Sequence, residues 1–269
     1  MTGIGKQFMY SGIIPPLVTP IDDNNEVCES SVEQLINYVR PFSSALMPTL
    51  TSGEGWKLSG KQWRTMVEYT LRYAGNLHVL VGIEYPTTRE VIEYGALAKK
   101  LGAHGIVVTA PFGSEVNQDI IFEHFSEIDS RLNFPIFVYN EKEISGNNIE
   151  YETILEICKL KSISGIKEAS GDVNYTNRLI KDVHVPVYQG WENLAWSTEN
   201  PAGYIFPLSN LDPAICCEMF NRPSCELQSK IDCLCQEYDI LDSAPCLNIK
   251  KNLKIRNIIK SDRMINGNV

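Results

Sequence analysis

Eight short runs rich in β-branched and other apolar residues recur along the chain, at residues 12–18, 45–50, 78–83, 105–110, 134–139, 163–168, 185–189 and 203–208. They begin about 33, 33, 27, 29, 29, 22 and 18 residues apart, room for roughly one helix and two turns in each gap. Strands that alternate with helices are joined by crossovers and so lie parallel in one sheet. Eight of them close most simply into a barrel, which hides both sheet edges, and the chain's 269 residues are close to the roughly 250 usual for that closure. The expected fold is an α/β (β/α)8 TIM barrel over residues 1–223, with a short, partly helical C-terminal extension over residues 224–269. An open doubly wound sheet is the competing architecture, but no Gly-x-Gly-x-x-Gly follows the first run.

Helical periodicity supports the gaps. Val32, Leu35, Ile36 and Val39 keep the i, i+3, i+4, i+7 spacing of one buried stripe, as do Tyr151, Ile154, Leu155 and Cys158. Gly102, after Lys99, Lys100 and Leu101, reads as a helix stop. Asp212 and Pro213 open a short helix, and Leu227, Ile231, Leu234 and Cys235 give the extension a helical period that Pro245 interrupts. Such a tail could pack on the barrel's outside, join subunits or fray.

A net charge of −9 and a pI near 5.1 argue against nucleic acid or an anionic membrane as a partner, while leaving room for a small anionic ligand in a local pocket. No apolar run approaches the roughly 20 residues of a membrane span, and residues 1–10 lack a signal peptide's apolar core. A soluble, cytoplasmic protein is expected. Of the eight cysteines, Cys216, Cys217, Cys225, Cys233, Cys235 and Cys246 crowd the last quarter in spacings unlike those of a zinc ribbon, so they read as free thiols and no metal is assigned. His78 and His104 adjoin strand starts, away from the expected site, and His124 sits on a helix between Ile121 and Phe125; all three read as structural.

Chemistry in a closed βα barrel gathers where the strands end. The second run ends in Thr51, Ser52, Gly53 and Glu54, the fifth in Tyr139 and Asn140, and the sixth carries Lys167. A lysine among apolar neighbours is biased towards the neutral amine that attacks a ketone. Imine chemistry also needs a proton shuttle, which Tyr139 could provide, and donors for a substrate carboxylate, which Thr51, Ser52 and Gly53 could provide. Each has a plainer reading, as a packed tyrosine or an ordinary turn.

These motifs, in this order, resemble the pyruvate-dependent class I aldolases that include dihydrodipicolinate synthase and N-acetylneuraminate lyase. The resemblance runs from about Gly12 to Pro213 through Pro16-Leu17-Val18-Thr19-Pro20, Thr51-Ser52-Gly53-Glu54, Tyr139-Asn140 and Gly165-Ile166-Lys167-Glu168-Ala169-Ser170-Gly171-Asp172. It implies a cofactor-free lyase in which Lys167 forms a Schiff base with pyruvate or a related 2-oxo acid and an aldehyde is the second substrate. Ile144, Glu192, Asn193 and Ile205 would line the substrate site, and the chain would be a homo-oligomer, a dimer or tetramer.

Three departures qualify the substrate. Ile144 stands where the synthase branch has a carboxylate-gripping arginine, and the Tyr-Asn followed by Ser145-Gly146 is more similar to the sialic-acid lyase branch. Phe112 replaces a tyrosine that many members lend to a proton relay, leaving Ser114, water or a shorter relay. Glu192 and Asn193 keep hydrogen-bonding groups for a polyol, with Trp191 and Trp196 nearby, and Phe206-Pro207-Leu208 replaces small residues. The sequence therefore favours lyase-branch aldol cleavage or addition. The alternatives are 4-hydroxy-tetrahydrodipicolinate synthesis and a non-catalytic barrel that binds a 2-oxo acid or sugar acid.

Overall fold

The computed structural model describes residues 10–241 and 245–266; most of the segment read for a signal peptide lies outside them. Eight parallel strands form one sheet: β1 (Gly12–Ile13), β2 (Ala45–Leu46), β3 (His78–Ile83), β4 (Gly105–Thr109), β5 (Ile136–Asn140), β6 (Ile163–Glu168), β7 (Val187–Gln189) and β8 (Gly203–Tyr204). The order β1-β8-β7-β6-β5-β4-β3-β2 is closed between its ends by bridges from Ile13 to Ser43 and from Pro16 to Met47. Ser44 N donates to Ile13 O (2.8 Å) and Leu17 N to Met47 O (2.9 Å). The fold is the expected TIM barrel.

Several strands are shorter than their apolar runs, and prolines mark the difference. Pro15, Pro48 and Pro207 lie just past β1, β2 and β8, while Pro135 and Pro186 immediately precede β5 and β7. Proline has no N–H for the ladder, so apolar character persists where pairing stops. Its carbonyl still accepts: Ile106 N donates to Pro135 O and Ile166 N to Pro186 O, both at 2.9 Å.

The outer layer comprises α1 (Glu29–Val39), α2 (Gly60–Tyr73), α3 (Thr88–Leu101), α4 (Gln118–Leu132), α5 (Tyr151–Ile157), α6 (Val173–Asp182), α7 (Pro213–Asn221), α8 (Cys225–Glu237) and α9 (Pro245–Ile255). Ser59 with Gln62, and Thr87 with Glu90, close reciprocal capping boxes on α2 and α3. Gly102 ends α3 in the left-handed region at φ 92°. The expected stripe on α1 is buried as Val32, Leu35, Ile36 and Val39.

One expectation fails. The gap between β7 and β8 holds no α-helix, only a 3-10 turn at Glu192–Leu194, because the 13 residues from Gly190 to Ala202 leave too little chain for a packed crossover helix. The extension supplies the missing cover. Gln228 on α8 donates from Nε2 to Glu192 O (3.0 Å) and accepts from Trp196 N (2.8 Å), while Leu227, Ile231 and Cys235 face inward. Pro245 begins α9 rather than interrupting a helix, consistent with a missing N–H at a first-turn position.

Two apolar layers result. One lies between strands and helices, and a smaller one fills the barrel with Ile14, Met47, Leu50, Leu80, Val107, Phe137, Tyr188 and Ile205 among others. Gly165 is required here, since a Cβ on it would stand 2.4 Å from the Phe137 ring. No described helix is long and apolar enough to cross a membrane, and the described residues contain no cluster able to hold a metal ion.

Candidate active site

Register sets the site. Tyr139 pairs with Lys167 across β5 and β6, and Lys167 with Tyr188 across β6 and β7. With side chains alternating along a strand, Tyr139 and Lys167 share one level at the top of the barrel interior. Lys167 Nζ lies 3.9 Å from the Tyr139 ring centroid, and both side chains are buried. Desolvation pulls the Lys167 ammonium down to about 8, against the opposing pull of the Glu84, Glu141 and Glu192 carboxylates. Burial likewise drives the Tyr139 phenol well above its usual value, so it stays protonated at neutral pH.

Above them opens a cavity of about 450 Å³, within the range of small-molecule sites. Thr51 and Ser52 form its wall on the β2 side. Tyr139, Lys167 and Ala169 come from β5 and β6, Gly190, Trp191 and Glu192 from the end of β7, and Pro207 from the end of β8. Trp191 is fixed by its Nε1 donating to Ala169 O (2.8 Å). Glu192 is buried, accepts from Leu208 N (2.9 Å) and is raised to about 7, chiefly by desolvation.

Residues 51–53 make a 3-10 turn whose leading amides, on Thr51 and Ser52, have no backbone partner among the described residues. Gly53 does not present its amide, contrary to the sequence reading: its N–H donates to Leu50 O (2.7 Å) and its carbonyl accepts from Thr19 Oγ1 (2.8 Å). Its role is steric, for a Cβ there would lie 2.8 Å from Leu17 O.

Three further expectations need correction. Ile144 does not line the cavity, because Glu141 accepts from the Ile144 and Ser145 amides (2.8 and 3.1 Å) and folds the loop so that Glu143 reaches the cavity instead. Asn193 is exposed, turned away by the 3-10 turn that buries Glu192. Ile205 is fully buried in the barrel-filling layer and is not among the residues that line the cavity. Trp196 is half-exposed and outside the lining, whereas Trp191 is part of it.

Other motif residues are structural. Asn140 Nδ2 donates to Glu168 Oε2 (2.8 Å) and its Oδ1 accepts from Ile149 N (2.9 Å), while Ser170 N donates to Glu168 Oε1 (2.7 Å). The histidines lie away from the site: His78 and His104 stack 4.0 Å apart, and His124 Nδ1 bonds the Thr88 hydroxyl at 2.9 Å.

Two contributors escaped the sequence reading. Glu84, the residue after β3, is buried, and its Oε1 accepts from Thr51 Oγ1, which also lies 3.3 Å from the Tyr139 hydroxyl. Its position was the available signal, since it follows the third run as Thr51 follows the second. The extension is the other: Ile240, Leu241, Pro245 and Cys246 close one side of the cavity. Lys250 of α9 ion-pairs with Glu54 in full burial, Ile265 N donates to the same carboxylate (2.9 Å), and Cys246 Sγ donates to Thr51 O (3.3 Å). No sequence period announces these long-range contacts.

Comparison with known proteins converges on one group. The sequence model of the Dihydrodipicolinate synthetase family matches residues 9–222. The 4-hydroxy-tetrahydrodipicolinate synthase of Hyphomonas neptunium is 32% identical over 219 residues, covering 78% of this chain and 74% of its own length. That of Archaeoglobus fulgidus is 29% identical over 173 residues, covering 64% of this chain and 60% of its own, so the match spans less than two thirds of this second relative. Among solved structures, dihydrodipicolinate synthase from Thermotoga maritima superposes with a TM-score of 0.86 at 26% identity, covering 95% of this chain and 91% of that one. Both curated relatives carry the synthase name, not that of the lyase branch the sequence favours.

Proposed function

Because the chain belongs to the dihydrodipicolinate synthetase family of class I carbon–carbon lyases, we propose that Lys167 forms a Schiff base with pyruvate or a close 2-oxo acid and that the enzyme joins it to, or cleaves it from, an aldehyde. The observation that carries this reading is a buried lysine at a cavity wall, against a tyrosine ring and with no ion-pair partner among the described residues.

The neutral amine attacks the ketone carbon and gives a carbinolamine. Tyr139 protonates its oxygen, water leaves, and the nitrogen lone pair forms the C=N bond. Loss of a proton from the adjacent methyl yields an enamine, because the protonated imine takes up the electron pair. The enamine carbon adds to the aldehyde, and water then releases the product. The leading amides of Thr51 and Ser52, with the Ser52 hydroxyl, hold the 2-oxo acid's carboxylate.

The remaining wall selects the aldehyde. It combines Trp191, Pro207, Ile240 and Leu241 with the carboxyls of Glu143 and Glu192, and among the described residues includes no arginine. This suits an aldehyde with an uncharged, hydroxyl-bearing or apolar outer end, since a carboxylate there would meet like charge and no bidentate partner. The second reading is 4-hydroxy-tetrahydrodipicolinate synthesis, favoured by the names of the curated relatives.

Incubation with pyruvate and borohydride, followed by peptide mass mapping, tests the mechanism: a lactyl-sized adduct is expected on Lys167 and none in Lys167→Ala. An adduct elsewhere, or full activity of Lys167→Ala, overturns it. A panel of neutral aldehydes run beside aspartate semialdehyde then separates the two readings by which one is consumed with pyruvate.

A further inference from the structure

The catalytic tyrosine of the proposed reaction must recover each proton it gives, yet it is buried, and its hydroxyl meets the Thr51 hydroxyl at 3.3 Å. Thr51 Oγ1 in turn bonds Glu84 Oε1. Glu84 lies behind Thr51 in the interior, outside the cavity lining, and its Oε2 has no hydrogen-bond partner among the described residues. Gly55 makes room for it: a Cβ there would stand 2.9 Å from Oε2 and 2.3 Å from Thr49 O. Three oxygens of one chain thus form a line from the protein interior to the cavity, and its inner end is a carboxyl group with no salt bridge to a cation among the described residues.

Resting on the Schiff-base reading above, we propose that Glu84 is the proton reservoir of this site, exchanging its carboxyl proton with the Tyr139 phenol through the Thr51 hydroxyl. Glu84 touches no substrate and is a positioning residue acting through Thr51. In carbinolamine dehydration Tyr139 gives its proton to the departing oxygen, Thr51 gives its proton to the phenolate, and Glu84 gives its proton to Thr51. One proton leaves Glu84, one water leaves the carbon, and the Lys167 lone pair becomes the second bond of the imine. Hydrolysis of the product imine runs the line backwards and reprotonates Glu84.

The surroundings favour a proton on Glu84 at rest. Burial raises its carboxyl to about 8, with the Glu141 carboxylate adding to the shift and Lys167 and the Thr51 hydroxyl opposing it. The titratable groups on the neighbouring elements are Tyr139 and Glu141 at the end of β5, Lys167 on β6, Lys57 in the turn after Glu54, and Cys246 on α9. An unpartnered oxygen is also less costly on a neutral carboxyl than on a carboxylate.

The test compares wild type, Glu84→Gln, Thr51→Val and the double variant in single-turnover imine formation with pyruvate, quenched by borohydride and read by mass across pH. Glu84→Gln keeps the shape but has no proton to give, so the rate should fall about a hundredfold while the half-saturating pyruvate concentration stays within about threefold. The double variant should be no slower than Thr51→Val, since both changes cut one line. A wild-type rate and pH profile in Glu84→Gln, or fully multiplicative losses, overturns the proposal. An infrared difference spectrum of the substrate-free proteins, wild type minus Glu84→Gln, gives a readout that needs no turnover: a protonated-carboxyl band is expected at neutral pH, and an ionised one overturns the reservoir. Should Glu84→Gln not fold, the same band is followed in Thr51→Val, where loss of the hydroxyl should shift it and an unmoved band counts against the line. If wild type forms no adduct with any 2-oxo acid, the Schiff-base reading fails, while the infrared band still decides whether Glu84 holds a proton.

Discussion

At Lys167 two influences oppose each other: burial favours the amine, and the acidic side chains of Glu84, Glu141 and Glu192 favour the ammonium as they ionise. With the balance at about 8, imine formation should speed up as pH rises towards that value and fall again above it, where the Glu84 carboxyl, also raised to about 8, gives up its proton. Removing the charge of Glu192 by Glu192→Gln takes away part of what holds the ammonium, so the rising limb should move to lower pH; an upward move in the same trapping assay would contradict the assignment. Gly53 permits a steric prediction. Gly53→Ala places a methyl 2.8 Å from Leu17 O and 3.1 Å from Thr19 Oγ1, and the backbone shift needed should cost about 1–3 kcal/mol in chemical denaturation.

The extension is a working part of the site at the level of elements. α8 covers the place between β7 and β8 that lacks a helix, and α9 both walls the cavity and anchors to Glu54. Lys250→Ala leaves Glu54 buried without its cation, which should destabilise the protein by about 3–5 kcal/mol and reduce activity as the cavity wall loosens. Replacing the pair with apolar residues of similar size should recover stability in urea unfolding more fully than activity. Strand positions, helix stripes and the Lys167–Tyr139 pair were legible because each rests on local periodicity or a strand-end position. Strand ends were overestimated because apolar runs continue through prolines such as Pro15 and Pro207, which cannot join the ladder. Ile144, Asn193 and Ile205 were misplaced for a different reason: their directions are decided by loop hydrogen bonds to Glu141, by a 3-10 turn and by barrel layering, none of which has a sequence period. Glu84 and the α9 wall depend on residues distant in sequence meeting in space.

The buried acids give the whole molecule a pH signature. Glu168 and Glu192 are each raised to about 7 from 4.5, mainly by desolvation. Their folded forms hold protons that the unfolded chain releases, so their contribution is full below about 4.5 and declines as pH rises towards 7. His124, lowered to about 4 by burial, acts with the opposite slope and loses its contribution as pH falls below about 6.5. Urea midpoints at pH 5 and 7 should therefore differ less in Glu192→Gln than in wild type. The proton line from Glu84 to Tyr139 lies within one chain, so imine formation at Lys167 should proceed at an unchanged rate per chain when the protein is diluted through any self-association, with light scattering reporting the species present. A rate that collapses on dissociation would show that a second copy completes the site. The anchoring of Glu54 by Lys250 and Ile265 also orders events in time. A ribosome makes the turn at residues 51–54 long before Lys250, which lies 196 residues beyond Glu54, so a nascent chain carries its lysine and tyrosine before it has the residues that finish the pocket. Chemistry at the reactive amine therefore waits until α9 has been made, and a chain cut before Lys250 would yield a barrel that cannot hold its substrate.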